Sequence, residues 1–144
     1  MWQFAATFFY LGKLPLAPGS WGSLGSLIVW FFIPSSYLLQ MIMIIILFFI
    51  GIISSKKMAV SMNDHDPSEV VIDEAVGMWI ALFMLPHSIA IYSMAFILFR
   101  IFDIFKPSFI YRVQNLPGGW GIMMDDVLAG IITWLICQGL LTIL

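Results

Sequence analysis

Apolar runs of unequal length alternate with short polar breaks along this chain, and most of the breaks contain proline. Leu38–Ile53 is the clearest spanning helix, a long apolar run. Residues 1–11 are apolar but too short to span, so they predict a helix lying at the interface or packing on a bundle. Gly12–Gly25 is broken by Pro15, Pro18 and several glycines. It reads as a loop that then enters a helix, with Ser20 or Ser23 as the N-cap. Ser26–Ile33 is apolar and stops at Pro34-Ser35-Ser36, and Ser54–Glu74 is polar. Ala75–Leu85 and Ser88–Phe99 are apolar arms separated by Pro86-His87, and Val127–Leu144 is a final apolar run.

Charge is confined to the breaks. Of 144 residues 62% are hydrophobic and 10% charged, where a soluble domain carries about 25% charge. With a mean hydropathy of +1.04, the chain reads as an integral membrane protein. The charged residues fall in three segments: Lys13, then Lys56–Glu74, then Arg100–Asp126. None lies in 14–55, 75–99 or 127–144. An ionised side chain at mid-bilayer costs on the order of 3 kcal/mol or more, so all three segments lie at or outside the interface. A straight helix from Glu74 to Asp103 would extend about 44 Å and put those acids on opposite faces. Proline lacks an amide donor and disfavours helix before it, so Pro86-His87 predicts a reversal that brings them together. Pro34-Ser35-Ser36 predicts another.

The result is an all-α integral membrane bundle: two helical hairpins with broken helices and a final helix, with the charged loops on one side. Arms of eleven or twelve residues rise only about 17 Å against a roughly 30 Å hydrocarbon core. Either they extend into the flanking segments or protein shields the second hairpin. Every Lys and Arg lies in the charged segments, which places those segments in the cytoplasm. A net charge of −2 with no basic patch gives no footprint for nucleic acid. The N-terminus has no basic stretch before its apolar residues and does not read as a cleaved signal peptide. Cys137, the one cysteine, cannot form an internal disulfide and reads as a buried thiol.

Five carboxylates stand at three expected helix ends. Asp73 and Glu74 sit side by side in VVIDEAVG, where a helix N-terminus favours negative charge. Asp103 is an acid on a mostly apolar helix, with Arg100 and Lys106 at i−3 and i+3 on the same face. Asp125 and Asp126 follow a Pro-Gly-Gly turn and begin the last helix. Adjacent carboxylates repel unless a cation or base lies between them. Capping and local ion pairs would explain each alone. Together, with only oxygen donors, they suit a hard cation such as Mg²⁺ better than zinc. Lys106, Arg100 and Lys13 would neutralise a phosphate held by that cation. Leu16–Leu24, LAPGSWGSL, has the glycines and serines to present backbone N–H groups to an anion.

These pieces resemble the phosphatidylglycerophosphatase A family of bacterial membrane enzymes. The matching blocks are LAPGSWGSL (16–24), DPSEVVIDEAVG (66–77), FRIFDIFKP (99–107) and PGGWGIMMDDVLAG (117–130), in the family's order. Ser108-Phe109-Ile110 lacks the second proline that the family often carries there. The resemblance implies Mg²⁺-dependent hydrolysis of phosphatidylglycerophosphate, an anionic phospholipid, to phosphatidylglycerol and phosphate. It implies a multi-pass protein of the bacterial inner membrane with a cytoplasmic active site. Asp73, Glu74, Asp103, Asp125 and Asp126 would hold one or two ions, one of these acids serving as base, with Arg100 and Lys106 stabilising the transferring phosphoryl group. Lys106, Lys13 and the loop of Pro18, Gly19, Ser20, Gly22 and Ser23 would bind the phosphate. Homo-oligomerisation is left open. Two other classes remain: a phosphotransferase using nucleotide-activated lipid, and an ion-coupled transporter with acids on its pathway.

Overall fold

The protein, seen in a computed structural model describing residues 1–144, is built of helices alone. They are α1 (Trp2–Ala6), α2 (Pro18–Phe31), α3 (Tyr37–Met62), α4 (Ile72–Leu82), α5 (Ile89–Ile104), α6 (Ser108–Val113) and α7 (Gly119–Ile143). A short 3-10 turn, Leu11–Lys13, leads towards α2. The expected all-helical membrane architecture is therefore present. Two helices, α3 with 26 residues and α7 with 25, are long and apolar enough to cross a bilayer.

Both predicted reversals occur. Phe32–Ser36 turns the chain between α2 and α3, and Phe83–Ser88 turns it between α4 and α5. The His87 ring lies 5.5 Å from the Phe31 ring at the end of α2. The two charge-free turns thus share one end of the bundle. The first pair of helices is not a packed hairpin, however. The principal neighbour of α2 is α4, and α3 packs on α1, α7 and α4.

The reason is that α4 occupies the centre. It packs against α2, α3, α5 and α7, and nine of its eleven residues are buried. At 1.5 Å per residue its rise is about 17 Å, too short to cross by itself. Protein surrounds it, so this arm is short because it is shielded, whereas the other arm, α5, runs on past Phe99 through Arg100 and Asp103 to Ile104. Trp79 on α4 donates its indole N–H to the Ser26 carbonyl of α2 at 2.9 Å. Trp134 on α7 donates to Phe83 O, just beyond α4, at 2.7 Å. Trp30 is fully buried against Trp79, with ring centroids 5.7 Å apart. Cys137 is a free, buried thiol.

Three boundaries differ from expectation. Helix α3 runs on through Lys56 and Lys57 to Met62, its polar residues there lying on a continuing helix and not in a loop. Helix α2 begins at Pro18, with Ala17 as N-cap. Proline suits the first helical position, where no amide donor is needed, and Ser20 and Ser23 lie inside the helix instead of capping it. Helix α7 begins at Gly119, so Asp125 and Asp126 occupy its second turn and cap nothing.

Helices α4 and α7 meet through bare backbone. A Cβ on Gly77 would lie 2.5 Å from the Asp126 carbonyl oxygen and 2.7 Å from the Phe99 ring. One on Gly130 would lie 2.3 Å from the Gly77 carbonyl oxygen. Gly77→Ala must therefore push α4 and α7 apart, a cost of about 1–3 kcal/mol for an overpacked core. A thermal melt in detergent should show a lowered midpoint for Gly77→Ala and little change for Gly139→Ala, where a Cβ meets nothing within 4 Å.

Candidate active site

The charged end of the bundle holds a pocket of about 330 Å³. Three helices bring five acids to it. Asp73 and Glu74 stand in the first turn of α4, where the helix N-terminus faces them. Asp103 comes from the last turn of α5, and Asp125 and Asp126 from the second turn of α7. Asp73, Asp103, Asp125 and Asp126 are buried, and Glu74 is half-buried.

The five acids form two overlapping triads. One carboxylate oxygen from each of Asp73, Asp125 and Asp126 lies within 4.8 Å of the other two. The same holds for Glu74, Asp103 and Asp126. Asp126 belongs to both. The expectation that chain reversals gather acids from distant segments is met.

Two bases enter the cluster. Arg100 pairs with Asp103, three residues on along α5. Lys106 is not on that helix, which ends at Ile104. The chain turns there, and Lys106 pairs instead with Asp125 of α7. Burial works against the Lys106 ammonium, but the Asp125 charge, helped by Asp126 and Asp103, outweighs it. The lysine pKa is raised above its ordinary value, so the group stays cationic.

The acids divide by what already holds them. Asp125 Oδ2 accepts from Lys106 and from Gln114 Nε2, the latter at 2.9 Å, while its Oδ1 accepts the Asp126 amide at 3.0 Å. Asp103 is held by Arg100. Asp73 Oδ1, Glu74 Oε2 and Asp126 Oδ1 are buried with no hydrogen-bond partner. A buried carboxylate oxygen left unpaired is costly, and oxygen-only donors of this kind fit a hard cation.

Part of the loop expected to bind phosphate reaches the pocket. Ala17, Pro18 and Gly19 line the pocket, and Gly19 lies so close that a Cβ would stand 2.6 Å from Glu74 Oε1. Helical hydrogen bonding starts with the Trp21 amide on Ala17 O at 3.1 Å, which leaves the Gly19 and Ser20 amides free near the pocket. Gly22 and Ser23 do not reach it. Gly22 packs on Val71, where a Cβ would meet the valine Cβ at 2.6 Å, and the Ser23 hydroxyl donates to Gly19 O at 2.8 Å. Nor does the Ser20 side chain line the pocket. Lys13 is exposed, its ammonium 5.5 Å from the centroid of the Tyr10 ring, and it too is absent from the lining.

Several contributors escaped the sequence reading. Gln114, just after α6, carries no charge and no motif marks it. Asp66 and Ser68 line the pocket from the loop before α4. Burial raises the Asp66 carboxyl above its usual range, and the nearby Asp125 charge adds to the effect. The run of acids in DPSEVVIDE was the available signal. His65 and His87 hold no place among the pocket residues.

Fold and site together define a helical membrane protein with an acid-lined pocket at one end of its bundle. A family model described as phosphatidylglycerophosphatase A matches residues 4–141. A phosphatidylglycerophosphatase A of Escherichia coli is 36% identical over 92% of this chain and 78% of its own. One of Haemophilus influenzae is 40% identical over 83% of this chain and 76% of its own. A Bacteroides thetaiotaomicron protein provisionally described as a phosphatidylinositol-3-phosphatase is 41% identical over 90% and 87%. No solved structure matches the chain. The chain belongs to the phosphatidylglycerophosphatase A family of membrane phosphatases.

Five acids against two bases leave the cluster strained by like charge. Asp126→Asn removes one of those charges from the point shared by both triads. In chelator it should raise the thermal midpoint by about 2 to 4 °C, equivalent to relief of roughly 1 kcal/mol. A lowered midpoint under the same conditions would show that the acid is held by contacts of its own.

Proposed function

We propose that this protein hydrolyses the terminal phosphomonoester of phosphatidylglycerophosphate with the help of Mg²⁺, releasing phosphatidylglycerol and phosphate. The observation that carries the reading is the set of buried, unpartnered oxygens on Asp73, Glu74 and Asp126, beside two bases tied to neighbouring acids.

Asp73, Glu74 and Asp126 would hold the cation, with Asp103 and Asp125 completing the two triads. When bound, Mg²⁺ would offset charge on a phosphoryl oxygen and make a water more acidic. The chain's own residues do the rest. Arg100 and Lys106, both bordering the pocket, are fixed by Asp103 and Asp125 and present donors to a phosphate. The free amides of Gly19 and Ser20 add uncharged donors from the start of α2. Gln114 acts through Asp125, sharing its Oδ2 with Lys106 and thereby setting where the lysine points. A carboxylate of the cluster would take the proton from water.

The depth of the site suits a lipid. It lies at the ends of α5 and α7 nearest the charged loops, where a head group sits while its acyl chains stay in the bilayer. We read the protein as multi-pass, with this end in the cytoplasm, since every Lys and Arg lies there. The transporter reading is disfavoured because the acids sit at one end of the bundle. A phosphotransferase would need room for a nucleotide, and the pocket of about 330 Å³ offers little beyond the charged groups.

A second substrate reading comes from the Bacteroides relative, whose description names a phosphoinositide. The same groups would hydrolyse a phosphomonoester on an inositol ring. Purified protein in mixed micelles should release phosphate from phosphatidylglycerophosphate with Mg²⁺ and none with EDTA. Faster release from phosphatidylinositol 3-phosphate would favour the second reading. Asp126→Asn should cut the rate by on the order of a thousandfold. An Asp126→Asn protein with wild-type, Mg²⁺-dependent turnover would overturn the site assignment.

Gln114→Leu tests the positioning role. It should lower kcat by about tenfold or more, as loss of a supporting hydrogen bond does, with KM little changed. Gln114→Asn, a shorter amide, should recover part of the loss.

A further inference from the structure

A second recess, sharing no residue with the carboxylate pocket, lies where α1, the charged end of α3 and the start of α7 meet. It is the larger of the two, at about 980 Å³ against about 330 Å³. One part is apolar, formed by Trp2, Ile52, Ile53, Val60 and Trp120. The other is cationic, formed by Lys56 and Lys57 beside the Gly118-Gly119 backbone. No acid lines it.

The lysines have no internal partner. The protein's two ion pairs are Arg100–Asp103 and Lys106–Asp125, and neither involves them. The Lys56 stem lies across Gly118, where a Cβ would meet Lys56 Cδ at 3.6 Å. The lysine stem thus lies beside the entry to α7. Gly118 has φ +61°, and the backbone it permits leads into α7 with the first amides of that helix unpaired. Two ammonium groups and a helix N-terminus therefore share one uncompensated patch.

The surroundings of the patch fix the occupant. Lys56 and Lys57 directly follow the lipid-length apolar part of α3, and Ile53 is 59% exposed beside them. Trp2 and Trp120 supply indoles of the kind that settle at the head-group level. Trp120 precedes Asp125 by little more than one turn of α7, so the recess sits near the depth of the carboxylate pocket. Anionic above and hydrocarbon below is the chemistry of a charged phospholipid. A zwitterionic lipid would bring its own ammonium against two lysines.

We propose that this recess binds one anionic phospholipid of the surrounding bilayer. Its phosphate rests on Lys56, Lys57 and the first amides of α7, and an acyl chain lies along Ile52, Ile53 and Trp120. The site is separate from the one where substrate is hydrolysed and does not depend on that assignment.

The test is photolabelling of the full chain in phosphatidylcholine vesicles containing a little diazirine-bearing phosphatidylglycerol. Labelled peptides are mapped by mass spectrometry. Label should fall on residues 52–60 and on Trp120, and the same probe built on phosphatidylcholine should label them weakly. The double variant Lys56→Gln/Lys57→Gln should lose about tenfold of that label, with its thermal midpoint unchanged. Ile53→Trp, which fills the apolar part and keeps both lysines, should lose it too. Equal labelling by the two probes, or label indifferent to the lysine substitutions, would overturn the proposal. If phosphate release from phosphatidylglycerophosphate were absent while this labelling pattern held, the functional reading alone would fall.

Discussion

Mutual repulsion among five carboxylates is the constraint around which the molecule is built. Two like charges 4 Å apart cost about 4 kcal/mol even where the effective dielectric is near 20. Here four of the acids are buried, and each triad falls within 4.8 Å. Arg100 and Lys106 relieve part of this, and each does so by binding one acid closely. The oxygens that remain unpaired belong to Asp73, Glu74 and Asp126. A fold that spontaneously relaxed would let these groups drift into water. This one confines them.

The confinement comes from how α4 is held. A helix of eleven residues would be marginal alone, and its stability comes from packing on α2, α3, α5 and α7. The indole bonds of Trp79 and Trp134 tie its surroundings to α2 and α7 without placing any charge in the core. Because α4 is enclosed by protein, its N-terminal acids need not follow lipid rules. The two long helices are the ones apolar enough to cross a bilayer, and both α3 and α7 leave apolar side chains exposed. The acids sit where the enclosed helix α4 meets the ends of α5 and α7.

Much of this was readable from residue order. Charge-free runs separated by Pro34 and Pro86 required the chain to reverse, and the reversals joined Asp73, Asp103 and Asp126. The family blocks named the same acids. What escaped depended on three-dimensional packing. Ser54 to Met62 reads as loop because its polar residues interrupt an apolar run, yet the helix continues through them. Lys106 looked helical at i+3 from Asp103, but α5 stops two residues earlier and the lysine turns to Asp125. Gln114 has no charge to reveal it. The insertion of α4 between α2 and α3 has no signature in the spacing of apolar residues, since either packing buries the same faces. Lys13 was drawn in by charge alone and settles by Tyr10 instead.

The contact between Gly77 and Gly130 carries a consequence for how the acids are spaced. Side chains normally act as shims between helices, and their rotamers let the gap breathe. Here Gly77 touches the carbonyl of Asp126 itself, so one acid's main chain is the surface on which the neighbouring helix rests. The separation between the carboxylates of α4 and α7 is thus inherited from two uncushioned backbones. Thermal jostling of core methyls has little leverage over the width of that jaw.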